Sequence, residues 1–147
     1  MKTAIVYEST HHGNTKKLCD AIAQKFDVQL FDINDNVSSL DEYDFIGIAS
    51  GISFGKFYKN ILEKTSEFLP ENKKVFFIFT AGSPRESHAD AVKKIAELKN
   101  CKCLGSYFCK GFDTYGPFKI MGGINKNCPT EDDLKKVLEF YEKITQA

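Results

Sequence analysis

Residues 9–15 read Ser9-Thr10-His11-His12-Gly13-Asn14-Thr15, which places three hydroxyls, an amide, two imidazoles and a glycine within seven positions. Groups of this kind donate hydrogen bonds to an anion. The segment follows an apolar run, Thr3-Ala4-Ile5-Val6-Tyr7, and precedes a stretch with Leu18, Ile22 and Phe26 one helical turn apart. A strand therefore feeds a polar loop that opens a helix, the arrangement in which backbone N–H groups and the positive end of a helix dipole converge on a phosphate. The same residue types also make ordinary capped turns. His11 and His12 either titrate beside the phosphate or are solvated loop histidines, and Lys16 and Lys17 are expected to face water.

Three further segments carry groups suited to a flat ligand. Ser50-Gly51-Ile52-Ser53-Phe54-Gly55-Lys56 precedes Phe57 and Tyr58; Thr80-Ala81-Gly82-Ser83 is a short polar loop; Lys110 to Phe118 is long for a strand–helix connection. Glycines let backbone approach a planar ring, and Phe54, Phe112 and Tyr115 are stacking surfaces for one. Phe54 is the foremost of these because Ser53 and Gly55 flank it, whereas Phe57 fits a buried helix start. Asp113 either sets charge beside the ligand or caps a turn. Gly122-Gly123 reads as loop punctuation.

The elements that position these loops alternate. Strands are predicted at 2–7, 27–32, 43–50, 73–80 and 103–110, and helices at 14–26, 57–69, 85–98 and 131–145. Leu134, Val137, Leu138, Tyr141 and Ile144 form an apolar stripe on the last helix. Ser83-Pro84-Arg85-Glu86 reads as a capping box with Ser83 at the N-cap, and Thr130 before Glu131, Asp132 and Asp133 marks a second acidic helix start. Strands 1, 3 and 4 are continuously apolar, as in strands buried on both faces, while the second and fifth are mixed, as at edges. This predicts an α/β three-layer sandwich, residues 1–147, with a five-stranded parallel sheet in order 2-1-3-4-5. Right-handed crossovers bring the loops after strands 1, 3 and 4 together at the carboxyl edge.

Composition narrows the function. Lys+Arg and Asp+Glu both number 20 in 147 residues, so no global field draws nucleic acid. The first apolar run is too short for a signal peptide or a membrane span, which suggests a cytoplasmic protein. Five cysteines at 19, 101, 103, 109 and 128 lack metal-finger spacing and fit reduced thiols. Other proteins of similar architecture fail on specific residues. A response-regulator receiver needs a phospho-accepting Asp where Ser50 stands, a low-molecular-weight phosphatase needs Cys and Arg framing the first loop, and a dinucleotide fold needs GxGxxG there.

A phosphate cradle beside aromatics and glycines suits a ligand with a phosphorylated tail and a planar ring. Over essentially its whole length the chain resembles the flavodoxin family, whose phosphate loop is matched by Ser9-Thr10…Gly13-Asn14-Thr15. The resemblance implies FMN bound noncovalently. The phosphate would be held by backbone N–H groups of 9–15 with Ser9, Thr10 and Thr15. The 50–56 loop would line the ring, Thr80, Ala81 and Gly82 would meet the ribityl chain or pyrimidine side, and Phe112 and Asp113 would close over the ring. By the same resemblance Gly51 is the position whose carbonyl can swing toward the ring's N5. The phosphate loop is one residue longer than the usual form, and SGISFGKFYKNI is similar to the second flavin loop of menaquinone-dependent protoporphyrinogen oxidases. The tail from Tyr115 is similar to that of flavin-dependent NAD(P)H:quinone oxidoreductases. The expected role is electron transfer between redox partner proteins by a monomer or weak dimer. The alternative is an FMN-dependent oxidoreductase acting on a quinone, porphyrinogen or similar small molecule.

Overall fold

The computed structural model describes residues 1–10, 12–112 and 122–146. Five strands form a parallel sheet: β1 (Thr3–Glu8), β2 (Val28–Asp32), β3 (Phe45–Ser53), β5 (Lys74–Ala81) and β6 (Lys102–Lys110). A two-residue strand, β4 (Lys56–Phe57), pairs antiparallel with the end of β3. The order is β2-β1-β3-β5-β6. Apart from the short β4, this is the predicted 2-1-3-4-5 order, with the two mixed strands at the edges.

Helices α1 (Asn14–Lys25) and α4 (Glu131–Thr145) pack together on one face of the sheet, and α2 (Lys59–Phe68) and α3 (Asp90–Leu98) on the other. Period-2 alternation divides the buried strand residues between the layers. Ile5, Tyr7, Phe76 and Ile78 face α1 and α4, whereas Ala4, Val6, Val75, Phe77 and Phe79 face α2 and α3. Tyr141 of α4 donates its hydroxyl to Thr3 Oγ1 at 2.8 Å, which anchors the last helix to the first strand without an unpaired buried phenol.

Local chemistry sets the boundaries. Thr130 accepts from Asp133 N–H at 3.1 Å and Asp133 accepts from Thr130 N–H at 2.8 Å, so the acidic start of α4 is a reciprocal capping box. The box expected at Ser83 does not form. A 3-10 turn over Glu86–Ala89 precedes α3, and His88 Nδ1 reaches back to accept the Arg85 N–H at 3.2 Å. Histidine supplies the acceptor there, so the helix begins later than the Ser-Pro-Arg-Glu pattern indicates.

Gly47 lies opposite Ile5 in the central strand pair, where a β-carbon would stand 2.5 Å from Phe76 Cζ and 3.0 Å from Ile5 Cγ1. Gly47→Ala is expected to destabilise the fold by about 1–3 kcal/mol through overpacking, read as a lower urea midpoint at unchanged m.

Candidate functional site

The register places three chain exits side by side at the carboxyl edge: Glu8 pairs with Ser50 and Gly51 with Thr80. The 9–13 loop turns through two left-handed residues, His12 (φ 62°) and Gly13 (φ 65°), before α1 begins. Among the described residues a β-carbon at Gly13 would have nothing within 4 Å, so glycine is suited here by its backbone angle. No carboxylate lies in the first turn of α1, and Ser9 Oγ accepts from the Lys16 N–H at 3.2 Å. Lys16 binds Asp20 down the helix at 2.9 Å, and Lys17 is exposed, so neither side chain fills the loop.

The N-terminus of α2 is treated differently. Glu8 accepts the Ile61 N–H at 3.0 Å and the Asn60 side-chain amide at 3.3 Å, so a carboxylate from β1 occupies that positive end. Glu8 is a functional neighbour that sequence reading missed, because only the tertiary fold carries it to a helix start more than 50 residues away.

The 50–56 segment is a hairpin rather than an open loop. Ser53 pairs with Lys56 across Phe54 (φ 53°) and Gly55 (φ 79°), the two left-handed positions of a type I′ turn. Phe54 is 93% exposed at its tip, while Phe57 is buried against Phe77 and Phe79. Ser50 is wholly buried, donating to Gly51 O at 2.6 Å and accepting from Tyr58 N–H at 3.0 Å. Gly51 is held inside β3, where a β-carbon would run into Tyr58 Oη. In this segment the left-handed glycine is Gly55. Ile52 and Ser53 are half-buried in β3.

The remaining contacts join the first loop to the ends of β5 and β6. Thr15 and Thr80 share a hydrogen bond of 2.9 Å in a buried setting. Two hydroxyls carry two protons and their mutual bond uses one. Asn14 Nδ2 donates to Phe112 O at 2.8 Å, and Gly111, whose N–H donates to Ala81 O, lies so close that a β-carbon would stand 2.6 Å from Asn14 Nδ2. His12 stacks on Phe112 with ring centroids 4.0 Å apart. Asn125, also missed from sequence, donates to Gly82 O at 3.0 Å. Asn14 is only 7% exposed, yet its Oδ1 has no hydrogen-bond partner among the described residues. A buried acceptor of this kind is matched by a donor from a ligand or water.

The structure therefore gathers Thr10, His12, Asn14, Thr15, Thr80, Ala81, Gly82 and Phe112 around the start of α1, leaves Phe54 in solvent, and spends the Ser50 hydroxyl internally. His11, Asp113 and Tyr115 lie outside the described residues. Burial raises the Cys19 thiol far above its ordinary range, pushes Cys109 up to about 12 and raises Cys103, so these three stay protonated at neutral pH. All five cysteines are free thiols. Among the described residues, no cluster suits a metal ion and no helix is long and apolar enough to cross a membrane.

Residues 4–105 match the family model of the Flavodoxin domain. The chain belongs to the flavodoxin domain family. An uncharacterized protein of Methanocaldococcus jannaschii is 41% identical over 148 residues, covering 98% of both chains. Oxidised flavodoxin 1 from Bacillus cereus superposes with a TM-score of 0.74 at 17% identity, over 99% of this chain and 98% of that one. Fusobacterium nucleatum flavodoxin bound to flavin mononucleotide gives 0.69 at 15% identity, with 99% and 98% covered. At these identities the two solved structures share the fold with this flavodoxin-family chain.

Two stability outcomes follow from the geometry. Thr15→Val strands the Thr80 hydroxyl in a buried position and is expected to cost about 1–3 kcal/mol in urea unfolding, whereas Thr15→Val/Thr80→Val costs less than the sum of the single changes. His88 is held below its ordinary 6.5 by burial first and by the Arg85 charge second. As pH falls, the unfolded chain therefore takes up this proton before the folded one does. The stability His88 contributes is complete above about pH 6.5 and is lost progressively below it. Between pH 7 and 5.5 the urea midpoint of the wild type should fall more steeply than that of His88→Gln.

Proposed function

We propose that this flavodoxin-family chain binds one FMN noncovalently and carries electrons between redox partner proteins. The observation that carries the reading is the start of α1. Of the helices that begin at the carboxyl edge of the sheet, α2 has Glu8 at its positive end, α3 begins with Asp90 and α4 is capped by Asp133. The first turn of α1 holds no carboxylate and is bordered by Ser9, Thr10, Gly13 and the Asn14 Oδ1 that is unpartnered among the described residues. This donor set suits a phosphate dianion joined to a hydroxyl-bearing chain.

The residues present fit the group. Backbone N–H groups of 9–15, that of Thr10 included, would hold the phosphate with the Ser9 hydroxyl, and Asn14 Oδ1 and the Thr15–Thr80 pair would meet ribityl hydroxyls. Ala81, Gly82 and the hairpin around Phe54 and Gly55 would border the ring, with Phe112 beside His12 on the far side. When bound, FMN supplies reversible one- and two-electron chemistry that the protein tunes by hydrogen bonding, stacking and nearby charge. The chain's own task is to bind, orient and partly shield the ring.

A second reading has a specific observation in its favour. The formal net charge is zero and the hairpin tip presents an exposed aromatic, features that suit a small apolar oxidant at least as well as an oppositely charged protein. In that reading the protein is an FMN-dependent oxidoreductase acting on a quinone, porphyrinogen or similar molecule.

Purified protein reconstituted with FMN is expected to show a bound-flavin spectrum and to be reduced by a reduced protein partner, with no sustained turnover when NADPH or NADH is mixed with a quinone. A chain that takes up no FMN would end both readings. Rapid reduction by NAD(P)H followed by quinone turnover would replace the carrier with the enzyme.

A further inference from the structure

Tyr58 sits between the two ligand-facing segments and has no task in the reading above. Its backbone N–H is fixed by the wholly buried Ser50 hydroxyl at 3.0 Å. Its ring lies over Gly51, where any β-carbon would collide with the phenol oxygen. That oxygen accepts the Thr10 hydroxyl at 2.9 Å, across 48 positions of sequence. An unbroken line of contacts thus runs from the backbone of β3, through one phenol, to the phosphate loop.

We propose that Tyr58 is a positioning residue that pins the phosphate loop to the end of β3 and thereby gives the site its preference for a phosphorylated flavin over the unphosphorylated one. This inference rests on the FMN reading and deepens it. Thr10 is exposed and stands two positions before the left-handed pair His12-Gly13, so its hydroxyl contact with Tyr58 is a tether on a surface loop. A loop that must be ordered on binding subtracts that entropy from affinity, and a loop already held does not. Thr10 borders the phosphate end, so the gain falls on the phosphate and not on the ring. The absence of a side chain at Gly51 is then required by Tyr58, because the phenol occupies the space a β-carbon would take.

The test titrates apo-protein with FMN and with riboflavin, following quenching of flavin fluorescence, in wild type, Tyr58→Phe, Gly51→Ala and the double variant. The thermal midpoint of each apo-protein reports folding. Tyr58→Phe removes the hydrogen bond from Thr10 and is expected to weaken FMN about five- to tenfold while changing riboflavin by less than about twofold. Gly51→Ala displaces the phenol and should reproduce the same selective loss even if Tyr58→Phe folds poorly. The double variant should lose no more than the worse single one, because both changes break one contact. Equal weakening of FMN and riboflavin, or no weakening of either, would overturn the positioning role. Additive losses would show that Gly51 acts on the ligand independently and would equally overturn it. A wild type that binds neither flavin would instead defeat the FMN reading itself.

Discussion

The site depends on one constraint, the parallel register in which Glu8 faces Ser50 and Gly51 faces Thr80. Parallel neighbours cannot be joined by tight turns, so each strand must send its chain through a crossover that starts at the carboxyl edge. Once the central strands are aligned, the 9–13 loop, the 53–57 hairpin and the chain after Ala81 leave from adjacent points. The side-chain contacts then lock what the register brings near. Thr15 meets Thr80 across the crevice, and Tyr58 meets Thr10. A one-residue slip would turn Ile5, Tyr7, Phe76 and Ile78 to the opposite layer, so the two buried faces that stabilise the sheet also fix the site geometry.

Helix polarity then decides where an anion can go. Each helix that starts at the carboxyl edge presents unsatisfied N–H groups and a partial positive charge. Three of these starts are neutralised from within the chain: α2 by Glu8, α3 by its own Asp90 and α4 by Asp133. The first turn of α1 holds no carboxylate and lies beside Gly13 and the buried Asn14 Oδ1, which has no hydrogen-bond partner among the described residues. The distribution of carboxylates supports the proposed site by exclusion as much as the hydroxyl-rich loop does by attraction. Net charge conveys none of this, since the same 20 acidic and 20 basic residues could be arranged to fill that end.

The layers and strand order were legible because they are written in local pattern: apolar runs, turn residues and helix periodicity. What escaped notice is tertiary. Glu8 reads as the polar end of a strand until the fold carries it to α2, and Tyr58 reads as one more helix-packing aromatic until its hydroxyl meets Thr10. The hairpin at 53–56 was hidden for a chemical reason. Its turn type favours Asn-Gly or Asp-Gly, whereas this chain uses Phe-Gly, so the usual signal is absent. At Arg85 the pattern misled, because Arg85 stands at the N-cap place expected of Ser83 and His88 supplies the reach-back acceptor expected of Glu86.

Phe54 imposes two costs on the hairpin that it tops. A non-glycine residue at φ 53° costs on the order of 1–2 kcal/mol relative to glycine, and leaving a phenyl ring 93% exposed forgoes the burial that every aromatic in the core obtains. Neither cost is recovered by packing in the free chain. Asparagine in place of Phe54 would relieve both while keeping the turn. Such an outlier is the ground for placing the hairpin beside the ring in the proposed function, and the two-residue turn is what leaves the phenyl ring exposed at its tip.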